Sequence, residues 1–179
     1  MTGRRDPEGR RRAIVDAASA LIAEVGVDNL THRLVAARAQ VPLGATTYYF
    51  ATLDDLSRAA LEHIAQTTVA CLRSWAETIE SSDDIAASLA ELTTRYLADR
   101  PSALPETELY LAAIRRPELR PLSRLWFDGL VRLLSEHASP EAATAAAFLI
   151  DGAIIHSLSG DEPLDTGGLT AALRSLLSI

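Results

Sequence analysis

The sequence predicts an all-α protein. Of its 179 residues, 48% are hydrophobic and 23% are charged, a balance typical of a folded globular chain. Alanine and leucine, both strong helix formers, dominate, and long runs of the β-branched residues that favour strands are missing. Apolar residues recur at spacings of three and four between proline and glycine breaks. This pattern predicts about nine helices.

The first helix is predicted over residues 8–25. Asp6 and Pro7 suit the N-cap and the first helical position. Apolar residues within the segment then fall on one face at spacings of three and four. Gly26 follows at the position where a left-handed C-cap is favoured, so we expect the helix to end there.

Two short helices with a tight turn between them are predicted next. Thr31 can cap a helix over about 31–38. Pro42 forbids a continuous helix, because it lacks an N–H and restricts the residue before it. A new helix can begin at the proline and run over about 42–49. Two short helices separated by about four residues form a helix-turn-helix.

Longer amphipathic helices fill the rest of the chain. Thr52 and Asp55 have the spacing of a capping box and open a helix that runs to about residue 80. Serine, proline and glycine residues separate the later apolar stripes. The further helices are predicted over about 83–99, 104–115, 118–137, 140–158 and 168–178.

The charge is distributed unevenly along the chain. The net charge of −7 taken alone argues against a nucleic-acid binder. Residues 1–50 nevertheless hold seven arginines against five acidic residues, a net +2, whereas the other 129 residues carry −9. This asymmetry predicts a DNA-facing head and an acidic body. Five arginines near the N-terminus are either a solvated tail or a DNA-contacting arm: Arg4, Arg5, Arg10, Arg11 and Arg12.

The second short helix carries side chains that suit a DNA groove. Its hydroxyl groups can hydrogen-bond phosphates or bases, its tyrosine rings can contact thymine methyls, and its small residues let the backbone approach closely. Of the adjacent tyrosines one must turn inward, which favours Tyr48 for DNA and leaves Tyr49 open. Free N–H groups at the start of the preceding helix can hold a phosphate. The candidate DNA-contacting residues are Thr31, Arg33, Leu43, Gly44, Ala45, Thr46, Thr47, Tyr48 and Tyr49.

The run from Ala13 to Leu56 resembles the N-terminal domain of TetR-type repressors. Matching features are a first helix that ends in glycine, a threonine-started second helix, and a recognition helix that ends in an aromatic cluster; the matching residues are Gly26, Thr31, Val35, Ala36, Gly44, Phe50, Asp54, Asp55 and Leu56. A looser similarity covers residues 108–122. Two positions depart from the pattern: Thr47 replaces a usual tyrosine, and Leu53 replaces a lysine that supports a phosphate contact.

The resemblance implies a DNA-binding repressor with two domains. Residues 8–66 would form the DNA-binding domain and residues 67–179 a ligand-binding and dimerisation domain. The protein would be a homodimer that places its recognition helices in successive major grooves of a palindromic operator, ~34–36 Å apart. An unidentified small molecule in the C-terminal domain would change the separation of the heads. The last two large helices, 118–137 and 140–158, would form the dimer interface; its candidate residues are Leu122, Trp126, Leu130, Ala146, Ile150, Ala153 and Ile154.

Four aromatic residues in the body are candidates for a ligand cavity. Each lies on a helical stripe, where core packing is the ordinary interpretation of any one of them. Together they indicate a pocket between helices. The candidates are Trp75, Tyr96, Tyr110 and Trp126, with Glu106, Glu108 and His63 as candidate polar anchors.

Other functional classes find little support in the sequence. A single cysteine, Cys71, cannot form an internal disulfide or a cysteine-based zinc site, and we interpret it as a packed residue. The four histidines lack metal-ligand spacing, and no phosphate-binding loop is present. We therefore expect no enzyme, metal or cofactor. With no signal peptide and no 18-residue apolar run, we expect a cytoplasmic protein without a membrane span. The alternative function is a helical protein-interaction module that does not bind DNA, which Leu53 favours.

Overall fold

The computed structural model describes residues 6–160 and 162–178, apart from the side chain of Ser102. The described part is helical throughout, without strands. Arg4 and Arg5 of the predicted arm lie outside it. The α-helices are α1 (Pro7–Val25), α2 (His32–Arg38), α3 (Leu43–Tyr49), α4 (Leu53–Glu80), α5 (Ile85–Ala98), α6 (Arg100–Arg115), α7 (Arg120–Leu134), α8 (Pro140–Ser159) and α9 (Thr166–Leu177), with short 3₁₀ helices at Val27–Asn29 and Pro117–Leu119.

Short polar residues fix where the helices begin. The Asp6 carboxylate accepts a hydrogen bond from the Gly9 N–H at 2.8 Å, which satisfies one of the free donors of α1. Thr52 and Asp55 form the predicted capping box of α4. The sequence therefore located the helix starts through their caps.

Proline explains two differences from the predicted boundaries. Pro42 is the N-cap of α3 rather than its first helical residue. Helix α6 begins at Arg100, four residues earlier than predicted, with only Asp99 separating it from α5. Pro101 lies in the first turn of α6, where a missing N–H costs nothing. Pro105 lies inside the helix and cannot donate the usual hydrogen bond back to the Pro101 carbonyl.

Two hydrophobic cores organise the chain, and α4 contributes to both. The first core joins α1, α2 and the start of α4, and residues of α6 including Leu109 and Ala112 also lie in it. The second core joins the far end of α4 around Trp75 to α5, α7, α8 and α9. The cores divide α4 between Ile64 and Trp75. Helix α6 therefore links the head, formed by α1 to α3 and the start of α4, to the body.

Helix α8 is apolar on both of its faces. By length and composition alone it is apolar enough to cross a membrane, although its sequence is interrupted by Glu141 and Asp151. One face of α8 packs into the second core through Ala143, Ala147 and Ile150. Its opposite face exposes Phe148 and Ile155. Packing in the second core accounts for the apolar character of the first face, and the apolar residues of the opposite face are exposed in the protomer.

Candidate nucleic-acid interface and ligand cavity

A tight turn holds α3 against α2. The Val41 N–H donates to the Ala36 carbonyl at 3.0 Å, and Gln40 adopts a left-handed backbone with φ of 54°. That conformation is uncommon for a residue other than glycine. It lets the chain reverse within about four residues, as the helix-turn-helix prediction requires.

The outer face of α3 is exposed and carries four of the nine predicted DNA-contacting residues. Tyr48 is 82% exposed and Leu43 is 47% exposed. Thr47 and Gly44 are also exposed, and a methyl group built on Gly44 would meet no atom within 4 Å. A tyrosine this exposed gains little from folding, so its position is explained better by a partner than by the core.

Thr46 corrects the prediction. It is fully buried, and its hydroxyl donates to the Leu43 carbonyl at 2.8 Å. Because α3 has only seven residues, one of its faces must seat it on the head, and Thr46 lies on that face beside Phe50. Tyr49 is half-buried against the same core, and its ring meets Tyr48 edge-on at 5.2 Å between centroids. Ala45 is half-buried as well.

Helix α2 supplies part of the predicted phosphate-facing surface. Thr31 caps α2 through a hydrogen bond from the Leu34 N–H, and both Thr31 and Arg33 are exposed. Arg38 instead makes two hydrogen bonds to the Glu24 carboxylate. Among the residues that the structure describes, Arg33 makes no ion pair, whereas Arg38 is engaged within the head.

Two cavities meet at Tyr96 and Glu106 in the body. The larger has a volume of about 610 Å³ between α1, α4, α5 and α6 and is lined by Trp75 among others. The smaller, about 90 Å³, lies towards α7 and α8. All four predicted aromatic residues line one or both: Trp75 and Tyr96 the larger, and Tyr96, Tyr110 and Trp126 the smaller.

The aromatic rings form a wall between the two cavities. Tyr96 and Trp126 are stacked with centroids 5.2 Å apart, and Trp75 meets Trp126 edge-on at 5.2 Å. Such arrangements are favoured by the charge distribution of aromatic rings. The wall therefore presents its rings to both cavities.

A buried carboxylate, Glu106, and a half-buried carboxylate, Asp151, accompany this wall. Tyr96 donates its hydroxyl hydrogen to Glu106 at 2.8 Å. Trp126 Nε1 donates to Asp151 at 2.8 Å, and the Tyr110 hydroxyl donates at 3.4 Å. Within the described residues, no basic nitrogen lies within ion-pair distance of either carboxylate. The hydrogen bonds to the Glu106 and Asp151 carboxylates therefore come from uncharged donors.

Burial changes the ionisation of these side chains. Desolvation raises the pKa of Glu106 to about 7, partly opposed by hydrogen bonds from Tyr96 and Thr68. Desolvation also raises the pKa of Asp151 above its ordinary value. The pKa of the Cys71 thiol rises to about 11 for the same reason, so this cysteine is not a ready nucleophile.

The other candidate anchors divide between the cavity and the head. His63 lines the larger cavity, whereas the Glu108 carboxylate faces Gly26 and lines neither cavity. Cys71 packs against the second core, as expected, and it also lines the larger cavity. Sequence reasoning missed Asp151 as a cavity residue. Its position as a single acid within the otherwise apolar middle of α8 was the available signal.

The predicted dimer residues lie mostly inside one protomer. Trp126, Leu130 and Ile150 are at most 2% exposed, and Ala146 and Ile154 are also buried, which excludes these five from a surface contact. Leu122 and Ala153 are half-buried. Because α8 is apolar all round, the stripe of small residues did not distinguish its core face from its outer face.

The described residues contain no group of three or more metal-ligating side chains suited to a metal ion. The four histidines lie in α2, in α4, in α8 and in the segment between α7 and α8.

Comparisons with known proteins agree with this geometry. Residues 14–60 match the model described as "Bacterial regulatory proteins, tetR family". Residues 80–179, more than half of the chain, match "Tetracyclin repressor-like, C-terminal domain". The chain belongs to the TetR family. TetR-family proteins are DNA-binding transcriptional regulators, and this chain is one of them.

Solved structures extend the match over nearly the whole chain. A TetR-family member from Streptomyces coelicolor, SCO1917, is 38% identical, with a TM-score of 0.82, over 95% of this chain and 99% of that chain. The multidrug binding protein EbrR complexed with ethidium is 41% identical, with a TM-score of 0.77, over 96% of this chain and 99% of that chain.

A similar sequence is also found among curated proteins. The regulator BetI of Burkholderia mallei is 29% identical over 89% of this chain and 87% of its own length.

Proposed function

We propose that this TetR-family regulator is a cytoplasmic, homodimeric repressor without enzymatic activity, which binds a palindromic operator through α3 and is controlled by a small molecule in the body. The exposed face of α3 carries the proposal. A seven-residue helix that buries Thr46 and presents Tyr48, Thr47 and Leu43 outward has the dimensions to enter a major groove.

The outer face of α8 supports the homodimer. Phe148 is 63% exposed and Ile155 is 48% exposed. Phe127 of α7 packs against the Phe148 ring, with centroids 4.6 Å apart, so the apolar surface continues onto α7. A two-fold axis through this surface would pair the same patch on both protomers and form a four-helix interface. We propose this surface in place of the buried residues predicted from the sequence.

The cavities support control by a ligand. Their volume and apolar lining fit a drug-sized molecule. EbrR, with which this chain shares its fold, has been solved with ethidium, proflavin and malachite green. We infer that the corresponding region of this chain also takes a flat aromatic ligand, whose binding changes the separation of the heads.

Footprinting on DNA flanking the protein's own gene tests the proposal. We expect a protected palindrome, with an affinity that falls steeply as salt rises because phosphate contacts release counterions. Tyr48→Ala should weaken operator binding by about 1–3 kcal/mol without changing the melting temperature. Tyr48→Phe is the matched control, because it keeps the ring and separates apolar contact from hydroxyl hydrogen bonding.

Two results would contradict the proposal. One is the absence of any sequence preference in promoter DNA at low salt, which would favour a protein-interaction module instead. The other is a protein that remains monomeric at micromolar concentration in analytical ultracentrifugation.

A further inference from the structure

Within the described residues, the Glu106 and Asp151 carboxylates of the cavity system form no ion pair with a basic side chain. Glu106 is 8% exposed and lines both cavities. Its hydrogen bond comes from the neutral Tyr96 hydroxyl. Asp151 stands on the other side of the Tyr96–Trp126 stack and also accepts hydrogen bonds from neutral donors. A buried carboxylate is expensive unless a cation accompanies it or it takes up a proton.

The aromatic wall is the second feature. Trp75, Tyr96 and Trp126 form one cluster beside the Glu106 carboxylate. Ring faces attract cations through their quadrupole, most strongly where water is excluded. The larger cavity, about 610 Å³, has room for a molecule of three or four fused rings.

Resting on the proposed ligand-controlled function, we propose that the cavity selects a flat organic cation, with Glu106 as its counter-charge and the Trp75–Tyr96–Trp126 cluster as its stacking surface. Without a ligand, the Glu106 carboxyl is partly protonated near pH 7. A bound cation displaces that proton, because it stabilises the ionised form.

Other titratable and charged groups face the same space. They are His63 and Cys71 from α4, Arg95 and Tyr96 from α5, Asp99 between α5 and α6, Tyr110 from α6, and Asp151 from α8. Arg95 is exposed whereas the Glu106 carboxylate is buried, so Arg95 does not serve as its ion-pair partner. A positive charge on His63 would repel a bound cation, so His63 needs its own control.

A matched pair of ligands tests the charge requirement directly. N-methylacridinium is a permanent cation, and acridine at pH 8.5 is its neutral counterpart with the same ring system. Both tryptophans of the chain lie in the aromatic wall, so quenching of their fluorescence reports occupancy. We expect the cation to bind the wild-type protein at least tenfold more tightly than acridine does.

Glu106→Gln should abolish that preference while leaving acridine binding unchanged. Glu91→Gln is the matched control, since it removes the same charge from an exposed position of α5. The pH dependence of cation affinity distinguishes a counter-charge from a purely structural role, which would leave the affinity independent of pH. Because the pKa of Glu106 is about 7, cation affinity should be about eightfold lower at pH 6 than at pH 7.5. This dependence should persist in His63→Gln and disappear in Glu106→Gln.

Three results overturn the inference: no binding of the cation, equal binding of the two ligands by the wild-type protein, or a preference that survives in Glu106→Gln. If the Glu106→Gln variant does not fold, the test uses the pH dependence of cation affinity in the wild-type protein and in His63→Gln. A cation affinity that does not change with pH in His63→Gln overturns the inference. Footprinting of the wild-type protein is independent of these outcomes. An operator footprint without cation selectivity refutes this inference alone, whereas the absence of a footprint refutes the proposed function.

Discussion

Replacing Glu106 by glutamine should stabilise the protein without its ligand. Glutamine keeps the shape of the side chain and an acceptor for the Tyr96 hydroxyl, but it carries no charge. In the wild-type protein the folded state holds a proton on Glu106 up to a pKa of about 7, whereas the ordinary value is 4.5. The folded state therefore binds more protons than the unfolded state between these two pH values, so the free energy of unfolding falls as pH rises through this window.

The size of the effect follows from the two pKa values. Each pH unit between them corresponds to ~1.4 kcal/mol, so ionisation of Glu106 costs the folded state at most about 3 kcal/mol above pH 7. The Glu106→Gln variant does not ionise at this position, so its free energy of unfolding is not lowered in this way. For a chain of this length, 3 kcal/mol corresponds to about 6–12 °C in melting temperature.

Thermal and urea unfolding of both proteins at pH 4.5 and pH 8, at one fixed protomer concentration, measure the difference. We expect near-equal stabilities at pH 4.5 and a more stable variant at pH 8. Groups whose pKa is lowered by folding, such as Asp84, act equally in both proteins and cancel in the difference. A stability difference that is the same at both pH values, or a less stable variant at pH 8, would refute the assignment of a buried charge to Glu106.

The remaining predictions concern the dimer surface and the link to the head. Ile150→Ala should lower the free energy of unfolding by about 2–5 kcal/mol, because the side chain is fully buried. Phe148→Ala, two residues away and on the outer face, should instead raise the dissociation constant of the dimer in sedimentation velocity. Asp28→Asn removes the ion pairs to Arg115 and Arg116. It should change stability by less than about 1 kcal/mol, while weakening the effect of ligand on operator affinity; an unchanged ligand response would count against this link.

Local chemistry made most of the fold predictable from the sequence. Helix caps depend on a few neighbouring residues, which is why Thr31 and Thr52 located the starts of α2 and α4. The start of α6 escaped prediction because Pro101 can either end one helix or open the next. The residue pattern left that choice open, and tertiary packing decided it.

The orientation of side chains was less predictable than the elements themselves. Thr46 was expected to face DNA, but a seven-residue helix needs part of its surface to attach to the head. On α8, small apolar residues occur on both faces, so periodicity could not separate Ile150 from Phe148. Asp151 was overlooked because a carboxylate becomes a cavity group only through the partners that folding brings to it, here Trp126 and Tyr110.

Helix α6 explains how a cavity in the body can act on the DNA-binding head. Glu106 and Tyr110 face the cavities. Ala112 lies two residues beyond Tyr110 and is buried in the core of the head. At its end, Arg116 pairs with Asp28 of the head at 2.9 Å. A helix is stiff over the ~15 Å between residues 106 and 116. A ligand that displaces Glu106 must therefore either bend α6 or move its head-bound end, and close packing around Ala112 means that movement of that end carries the head with it.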